Sequence, residues 1–110
     1  MAYANTHRFA RISPRKARLV ADLIRGKAVD EADAMLGFSK KRAAVMVRKA
    51  LAAATANAED QGQLDRRQLK VVEVRVDEGP TIKRGRPKDR GRFHPIRKRT
   101  SHIHVAVDAA

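Results

Sequence analysis

Cysteine and tryptophan are both absent from this sequence, and aromatic residues make up only 4% of it. Without cysteine, the chain can form neither a disulfide bond nor a thiolate metal site. Without bulky aromatic side chains, its hydrophobic core must be built mainly from alanine, valine, leucine and isoleucine. A chain of 110 residues with such a core predicts one small domain, residues 1–110.

Long apolar runs are missing as well. No stretch approaches the roughly 20 residues of a membrane span, and residues 1–7 lack the apolar stretch of a signal peptide. The most basic segment contains few large apolar residues, too few for a helix that lies on a membrane surface: Ile82, Phe93 and Ile96. The sequence therefore predicts a cytoplasmic protein with no membrane partner. A secreted, membrane-active cationic protein is a disfavoured alternative.

Acidic residues are also few compared with basic residues. The chain has 12 Asp and Glu against 25 Lys and Arg, a net charge of +13. Such a charge repels itself, and a polyanion beside the fold relieves that repulsion. Nucleic acid is therefore the leading candidate partner.

The first helical signal lies near the N-terminus. Ser13 is a favoured N-cap, Pro14 suits the first helical position, and Gly26 can supply a left-handed C-cap, which predicts a helix over residues 14–25. Its predicted inward stripe is Leu19, Val20, Leu23 and Ile24. Cations in its first two turns are unfavourable beside the helix dipole, so an anionic partner is expected near Arg15, Lys16 and Arg18.

Two further helices are predicted. Acidic residues begin the short second helix and Gly37 ends it, with an inward stripe of Ala32, Met35 and Leu36. Ser39 is the predicted N-cap of the third helix. The inward stripe of that helix is predicted to be Ala44, Val47, Leu51, Ala54 and Ala58, and its remaining surface carries Lys41, Arg42 and Lys49.

The apolar period changes to two in the second half of the chain. Residues 69–76 predict a strand in which one set of residues, Val72, Val74 and Val76, alternates with another, Val71, Glu73 and Arg75. A second strand is predicted around Ile103, Val105 and Val107, and residues 6–12 could add a third. Neighbouring strands of this kind form an antiparallel sheet, so the fold class is α+β.

Residues 79–101 are far too long for an ordinary hairpin loop. Nine Lys and Arg between residues 83 and 99 are opposed only by Asp89, a local charge of +8. Glycines and prolines at positions 85, 87, 91 and 95 argue against a helix and favour an extended hairpin that turns near residues 88–91. About ten residues per limb would reach roughly 30 Å. We call this segment the arm.

The sequence gives little support for a metal site or a catalytic site. Two imidazoles on one strand face, His102 and His104, are too few for a zinc site. Asp77 and Glu78 point to opposite faces of a strand and cannot form a catalytic pair. No nucleotide loop or catalytic triad is present, so the chain is predicted not to be an enzyme. The alternative for the arm is a solvated basic loop, and the alternative for the whole protein is a free regulatory or chaperone-like nucleic-acid binder.

Four segments together resemble the bacterial ribosomal protein family uL22 of the large subunit, over nearly the whole chain. They are residues 13–26 (SPRKARLVADLIRG), 56–59 (ANAE), 76–80 (VDEGP) and 98–103 (KRTSHI). The resemblance implies three helices on a small three-stranded antiparallel sheet, no cofactor, and a structural role in assembly through several domains of 23S rRNA. It also implies that the arm lines the polypeptide exit tunnel beside ribosomal protein L4 and the nascent chain. A protein of this family is not expected to form homo-oligomers.

The resemblance also implies which residues contact rRNA. In the globular part they are Arg11, Arg15, Lys16 and Arg18. On the arm they are Lys83, Arg84, Arg86, Lys88, Arg90, Arg92, Arg97, Lys98 and Arg99. The tip that faces the tunnel would consist of Arg86, Pro87, Lys88, Asp89, Arg90 and Gly91.

Overall fold

The protein is α+β in the computed structural model, which describes residues 2–88 and 92–109. The elements are β1 (Tyr3–Ala10), α1 (Pro14–Ile24), α2 (Val29–Phe38), α3 (Arg42–Gln61), a 3-10 turn (Arg66–Gln68), β2 (Leu69–Glu78), β3 (Ile82–Lys88), β4 (Arg92–Lys98) and β5 (Ser101–Ala109). An antiparallel sheet has the order β1-β5-β2, and β3 and β4 form a separate antiparallel ladder. The predicted fold class is confirmed.

Helix α1 turns a different face to the core from the one predicted. Gly26 follows it with a φ of 80°, the left-handed conformation that glycine favours. Leu19 and Leu23 are 58% and 50% exposed, so their predicted inward orientation is wrong. The buried face is Ala17, Val20, Ala21 and Ile24. Small alanine side chains allow α1 to pack closely against β2, and the two leucines then point outward.

The boundary between α2 and α3 also differs from the prediction. Ser39 is not the N-cap of α3: its backbone N–H donates to Leu36 O at 3.3 Å, which ends α2, and α3 begins only at Arg42. Gly37 does not end α2 either, because the helix continues through Phe38. Extended backbone then separates the two helices.

The inward faces of these two helices agree better with the sequence. Ala32 and Leu36 of α2 are buried, whereas Met35 is only partly buried. The predicted stripe of α3 is buried throughout: Ala44, Val47, Leu51, Ala54 and Ala58. Helix α3 therefore forms the centre of the helical layer and packs against the sheet.

Strand β5 lies between β1 and β2, and its predicted apolar face is confirmed as Ile103, Val105 and Val107. In β2 the simple alternation is wrong, because Val71 pairs with Val107 and Glu73 with Ala106, which leaves Val72 as an extra residue. Such a bulge changes which face the following residues occupy. Val71 is consequently buried and Val72 is 46% exposed.

The outer edge of β2 is covered by the residues that follow α1 and by two arginines of that region. Backbone hydrogen bonds join Val71 N to Lys27 O (2.9 Å) and Gly26 N to Val71 O (3.2 Å). Farther along this edge, guanidinium groups donate to strand carbonyls: Arg25 to Val74 O (2.7 Å), and Arg18 to Val76 O (3.0 and 3.2 Å). These bonds occupy backbone groups on the edge of β2 that could otherwise pair with another strand.

The arm makes the molecule long and narrow. The principal extents of the molecule are 62 × 25 × 16 Å, and its radius of gyration is 16.8 Å. A compact chain of this length has a radius of gyration of about 13 Å. Strands β3 and β4 pair in register from Ile82 opposite Lys98 to Lys88 opposite Arg92. The two limbs are therefore extended and antiparallel, as the glycine and proline positions predict.

Candidate nucleic-acid interface

The arm leaves the sheet at a fixed point, where β2 ends and β5 begins. Gly79 N donates to Thr100 O at 2.9 Å, and Thr100 Oγ1 donates to Pro80 O at 2.7 Å. Next to them, the fully buried Ser101 donates its hydroxyl to Ile12 O at 2.7 Å. A Cβ atom at Gly79 would collide with Thr100 Oγ1, so glycine is needed for this close approach. The root of the arm is therefore held to both the sheet and the β1–α1 loop.

Along the arm, the register places cations opposite cations. Two of the seven pairs, Lys83 with Arg97 and Lys88 with Arg92, join basic residues. Basic residues therefore occupy backbone positions on both limbs of the arm, and so dense a charge of one sign is typical of a segment that binds a polyanion.

A cleft of about 560 Å³ lies where the arm meets the helices, and we call it the root cleft. Its lining is Arg11, Ile12, Ser13, Lys16, Arg42, Ile82, Lys98, Arg99 and Thr100. Five of these nine residues are cations, and no acidic residue lines the cleft within the described part of the chain. Arginine and lysine in such a concave site are suited to phosphate groups.

Two helices begin at the root cleft. Ser13 is the N-cap residue of α1, and Arg42 is the first residue of α3. Neither helix has a capping hydrogen bond from its N-cap side chain or an acidic residue in its first turn. Because the helix dipole is positive at this end, both starts add to the attraction of the cleft for an anion. An anionic partner near the start of α1, which the sequence predicts, would lie beside this cleft.

The structure gathers four of the predicted rRNA contacts in one place: Arg11, Lys16, Lys98 and Arg99. It adds Arg42, which the sequence placed only on the remaining surface of α3. The available signal was a cation in the first turn of a helix without acidic residues there, the same signal as in α1. Its proximity to the arm depends on the tertiary fold.

Two predicted contacts on α1 differ from each other. The Arg15 side chain is exposed and lies outside the lining of the root cleft. Arg18 instead uses Nε and Nη2 to bond Val76 O, so part of its hydrogen-bonding capacity stabilises the fold. Arg18 is therefore a structural residue whose remaining donors can face a ligand.

The predicted arm contacts lie on β3 and β4, except Arg99, which follows β4, and Arg90, which lies outside the described residues. Lys83 is exposed on β3. The backbone positions of the other contacts on the two strands are Arg84, Arg86, Lys88, Arg92, Arg97 and Lys98. Of the predicted tip, Arg86, Pro87 and Lys88 end β3, whereas Asp89, Arg90 and Gly91 lie outside the described residues.

Two arginines elsewhere in the molecule, Arg48 and Arg66, have acidic partners. Arg48 Nε lies 2.9 Å from Asp33 Oδ1, and Arg66 lies 2.6 Å from Asp30 and 3.2 Å from Asp33. We call these four residues the ion-paired pole. The hydrogen bond from Arg48 is the main cause that lowers the pKa of Asp33 below its ordinary value, although partial burial opposes it. These arginines are neutralised within the protein.

The imidazoles considered for zinc have hydrogen bonds within the protein. His104 Nδ1 lies 2.9 Å from Thr6 Oγ1, and His102 Nδ1 accepts from Phe9 N at 3.1 Å. The described residues contain no group of three or more potential metal ligands. Nor do they include a helix with the length and apolar character needed to cross a membrane.

Comparison with known proteins agrees with this geometry. The family described as "Ribosomal protein L22p/L17e" matches residues 5–108. The chain is 55% identical to the large ribosomal subunit protein uL22 of Protochlamydia amoebophila over 108 residues, 97% of each chain. It is 57% identical to that of Rubrobacter xylanophilus over 102 residues, 93% of this chain and 80% of the relative. The chain therefore belongs to the uL22 family of large-subunit ribosomal proteins and is a structural, non-enzymatic constituent of the cytoplasmic ribosome.

Proposed function

We propose that the protein binds 23S rRNA through the root cleft and the arm together and thereby supports assembly of the large subunit. The observation that carries this proposal is the root cleft, where five cations, and no acidic residue of the described part of the chain, form the lining at the base of a basic arm. Phosphates in the cleft would fix the globular part. The arm would then extend along or between other RNA segments.

Phosphate neutralisation supplies the affinity in this proposal. Each neutralised phosphate releases a condensed counterion, so binding weakens steeply as salt concentration rises. Arginine predominates over lysine six to three between residues 83 and 99, which favours paired hydrogen bonds to phosphate and stacking on bases. The arm therefore contributes shape and orientation as well as charge.

We propose further that the tip of the arm lines the polypeptide exit tunnel. The length of 62 Å against widths of 25 and 16 Å supports this, because a two-stranded arm can enter a passage that a globular domain cannot. In that position its neighbours would be ribosomal protein L4 at the constriction, several rRNA domains and the nascent polypeptide. No membrane and no second copy of the chain are needed.

The root cleft can be tested separately from the arm. Changing Lys16→Gln together with Arg99→Gln removes two of its cations and should lower the slope of log affinity against log salt by about 2. The matched control is Arg67→Gln with Lys70→Gln, two exposed cations on another surface. Binding of 23S rRNA would be measured at several salt concentrations. Equal slopes for the two double variants would contradict the role of the cleft.

Assembly is a separate readout. The wild-type protein should sediment with the large subunit in sucrose gradients of cell lysate, and the cleft variant should shift toward the free fractions. A wild-type protein found mainly at the top of the gradient would instead favour a nucleic-acid binder that acts outside the ribosome.

A further inference from the structure

A second groove, of about 440 Å³, runs beside the root cleft between β1 and α3. The two share Arg11 and Arg42, so the basic surface continues from one into the other. Lys49 adds a third cation to the second groove, and no acidic residue lines it within the described residues. What distinguishes this groove from the root cleft is an exposed aromatic ring, Phe9. We call it the Phe9 groove.

Phe9 is held in an unusual conformation. It lies in the irregular part of β1, between His7 and Ala10, and has a φ of 56°. Side chains other than glycine rarely adopt that backbone conformation, and residues held in it are often found at functional sites. Here the bulge leaves the Phe9 side chain 59% exposed, although the neighbouring Ala10 is buried. The fold thus presents a large apolar ring to solvent next to cations.

The ring is also oriented. Phe9 and His102 meet edge to face, with centroids 5.0 Å apart and planes at 82°. Phe9 N donates to His102 Nδ1 at 3.1 Å, which ties the backbone at this position to the central strand β5. A ring fixed in this way loses little freedom when a second planar group stacks on it.

The opposite wall of the Phe9 groove comes from α3. Arg42, Val45 and Lys49 are three and four residues apart, so they share one face of that helix. Val45 is 57% exposed between the two cations. The groove therefore offers an apolar surface flanked by phosphate-binding groups, and an unpaired nucleotide has the complementary combination of a flat base and an anionic backbone.

We infer that the Phe9 groove binds one unpaired nucleotide of the RNA, with its base stacked on Phe9 and its flanking phosphates on Arg11, Arg42 and Lys49. This inference rests on the proposed function and adds to it a site for a base beside the site for phosphates. Double-stranded RNA does not fit the combination, because its bases are already stacked within the helix.

Phe9→Leu, made in the full chain, tests the stacking. Leucine keeps an apolar side chain and loses the aromatic face, so affinity for 23S rRNA should fall by about tenfold with an unchanged salt slope. Phe9→Trp keeps an aromatic face and should lose less affinity than Phe9→Leu. The matched control is Phe38→Leu, because Phe38 is 89% exposed on another part of the molecule and should not affect binding. Wild-type affinity of Phe9→Leu, or a Phe9→Trp variant as weak as Phe9→Leu, would overturn the inference.

Probing the RNA at nucleotide resolution gives a second readout. With the wild type and Phe9→Trp, acylation of the 2′-hydroxyl should decrease at an unpaired nucleotide, and with Phe9→Leu this protection should be lost. A photoreactive benzoylphenylalanine at position 9 should crosslink to that nucleotide. A crosslink to a helical RNA segment or to a protein would overturn the inference.

These outcomes are distinguishable from failure of the proposed function. The Lys16→Gln and Arg99→Gln pair does not line the Phe9 groove, so its effect on the salt slope does not depend on stacking. If the Lys16→Gln and Arg99→Gln double variant weakens binding and Phe9→Leu does not, the role of the root cleft in RNA binding is supported and the nucleotide site is refuted. If neither has an effect, both are refuted.

Discussion

The root cleft and the ion-paired pole both concentrate arginine, but they use it differently. At the ion-paired pole, Arg48 and Arg66 form ion pairs with carboxylates of α2, so their charges are neutralised by contacts within the protein. At the root cleft, five cations from distant segments converge, and none of the described carboxylates lines it. The number of basic residues alone therefore does not identify a binding surface. The presence or absence of acidic partners does.

Replacing the arm should produce the largest effect. Removing residues 83–97 and joining Ile82 to Lys98 through Asn-Gly suits a two-residue hairpin, because those two residues are paired in the ladder. Seven cations and one carboxylate are lost, while the root cleft keeps Lys98 and Arg99. We expect the salt slope to fall by up to about 6 and the affinity for 23S rRNA by at least about 100-fold.

Thermal unfolding of the same variant tests the predicted single domain, residues 1–110. The core cluster of the described residues is formed by residues of the helices, the three-stranded sheet and the β1–α1 loop, so this part should still unfold cooperatively without the replaced segment. Comparison with the root-cleft double variant then separates the contributions of arm and cleft. An armless protein that kept the wild-type salt slope would contradict the role assigned to the arm.

A smaller effect is expected from two neighbouring arginines of α1. Arg18→Gln removes the bonds to Val76 O at the edge of β2 and should lower the free energy of unfolding by about 1–2 kcal/mol. Arg15→Gln should change that energy by less than about 0.5 kcal/mol, because its side chain is exposed. Chemical denaturation checks both values.

RNA binding should rank these two variants in the reverse order. Arg15→Gln is expected to lower the salt slope by about 1, and Arg18→Gln by less, since part of its guanidinium is engaged within the protein. If the two variants affected folding equally, the structural role of Arg18 would be refuted.

Local signals predicted the arm well, whereas packing decided what the sequence could not. Charge and the placement of glycine and proline are sufficient to predict an extended hairpin. In α1, however, two stripes share Val20 and Ile24, and helical periodicity cannot choose between leucines at 19 and 23 and alanines at 17 and 21. The close approach of the helix to β2 favours the small residues.

The bulge in β2 has a similar origin. Val71 and Val72 are adjacent and both apolar, so either could begin the buried face, and pairing with β5 selects Val71. The root cleft was predictable only in part, because Arg42 joins Lys16 and Lys98 there through tertiary contacts between segments far apart in sequence.

Asp33→Asn tests the ion-paired pole and should have only a small effect on stability and none that weakens RNA binding. It removes the carboxylate that pairs with Arg48 and Arg66. Because exposed ion pairs contribute little, the free energy of unfolding at pH 7 should fall by less than about 1 kcal/mol. The matched control is Asp60→Asn, an exposed residue without an ion pair among the described residues. That substitution should not destabilise the fold.

The pH dependence of this difference follows from the lowered pKa of Asp33. A carboxyl whose pKa is lower in the folded state stabilises the protein at neutral pH and loses that contribution as it becomes protonated. The difference between wild type and Asp33→Asn should therefore be constant above about pH 5 and disappear as the pH falls below about 4. Denaturation at several pH values measures it. Affinity for RNA should not decrease, since the substitution removes a negative charge; a decrease would show that the pole belongs to the binding surface after all.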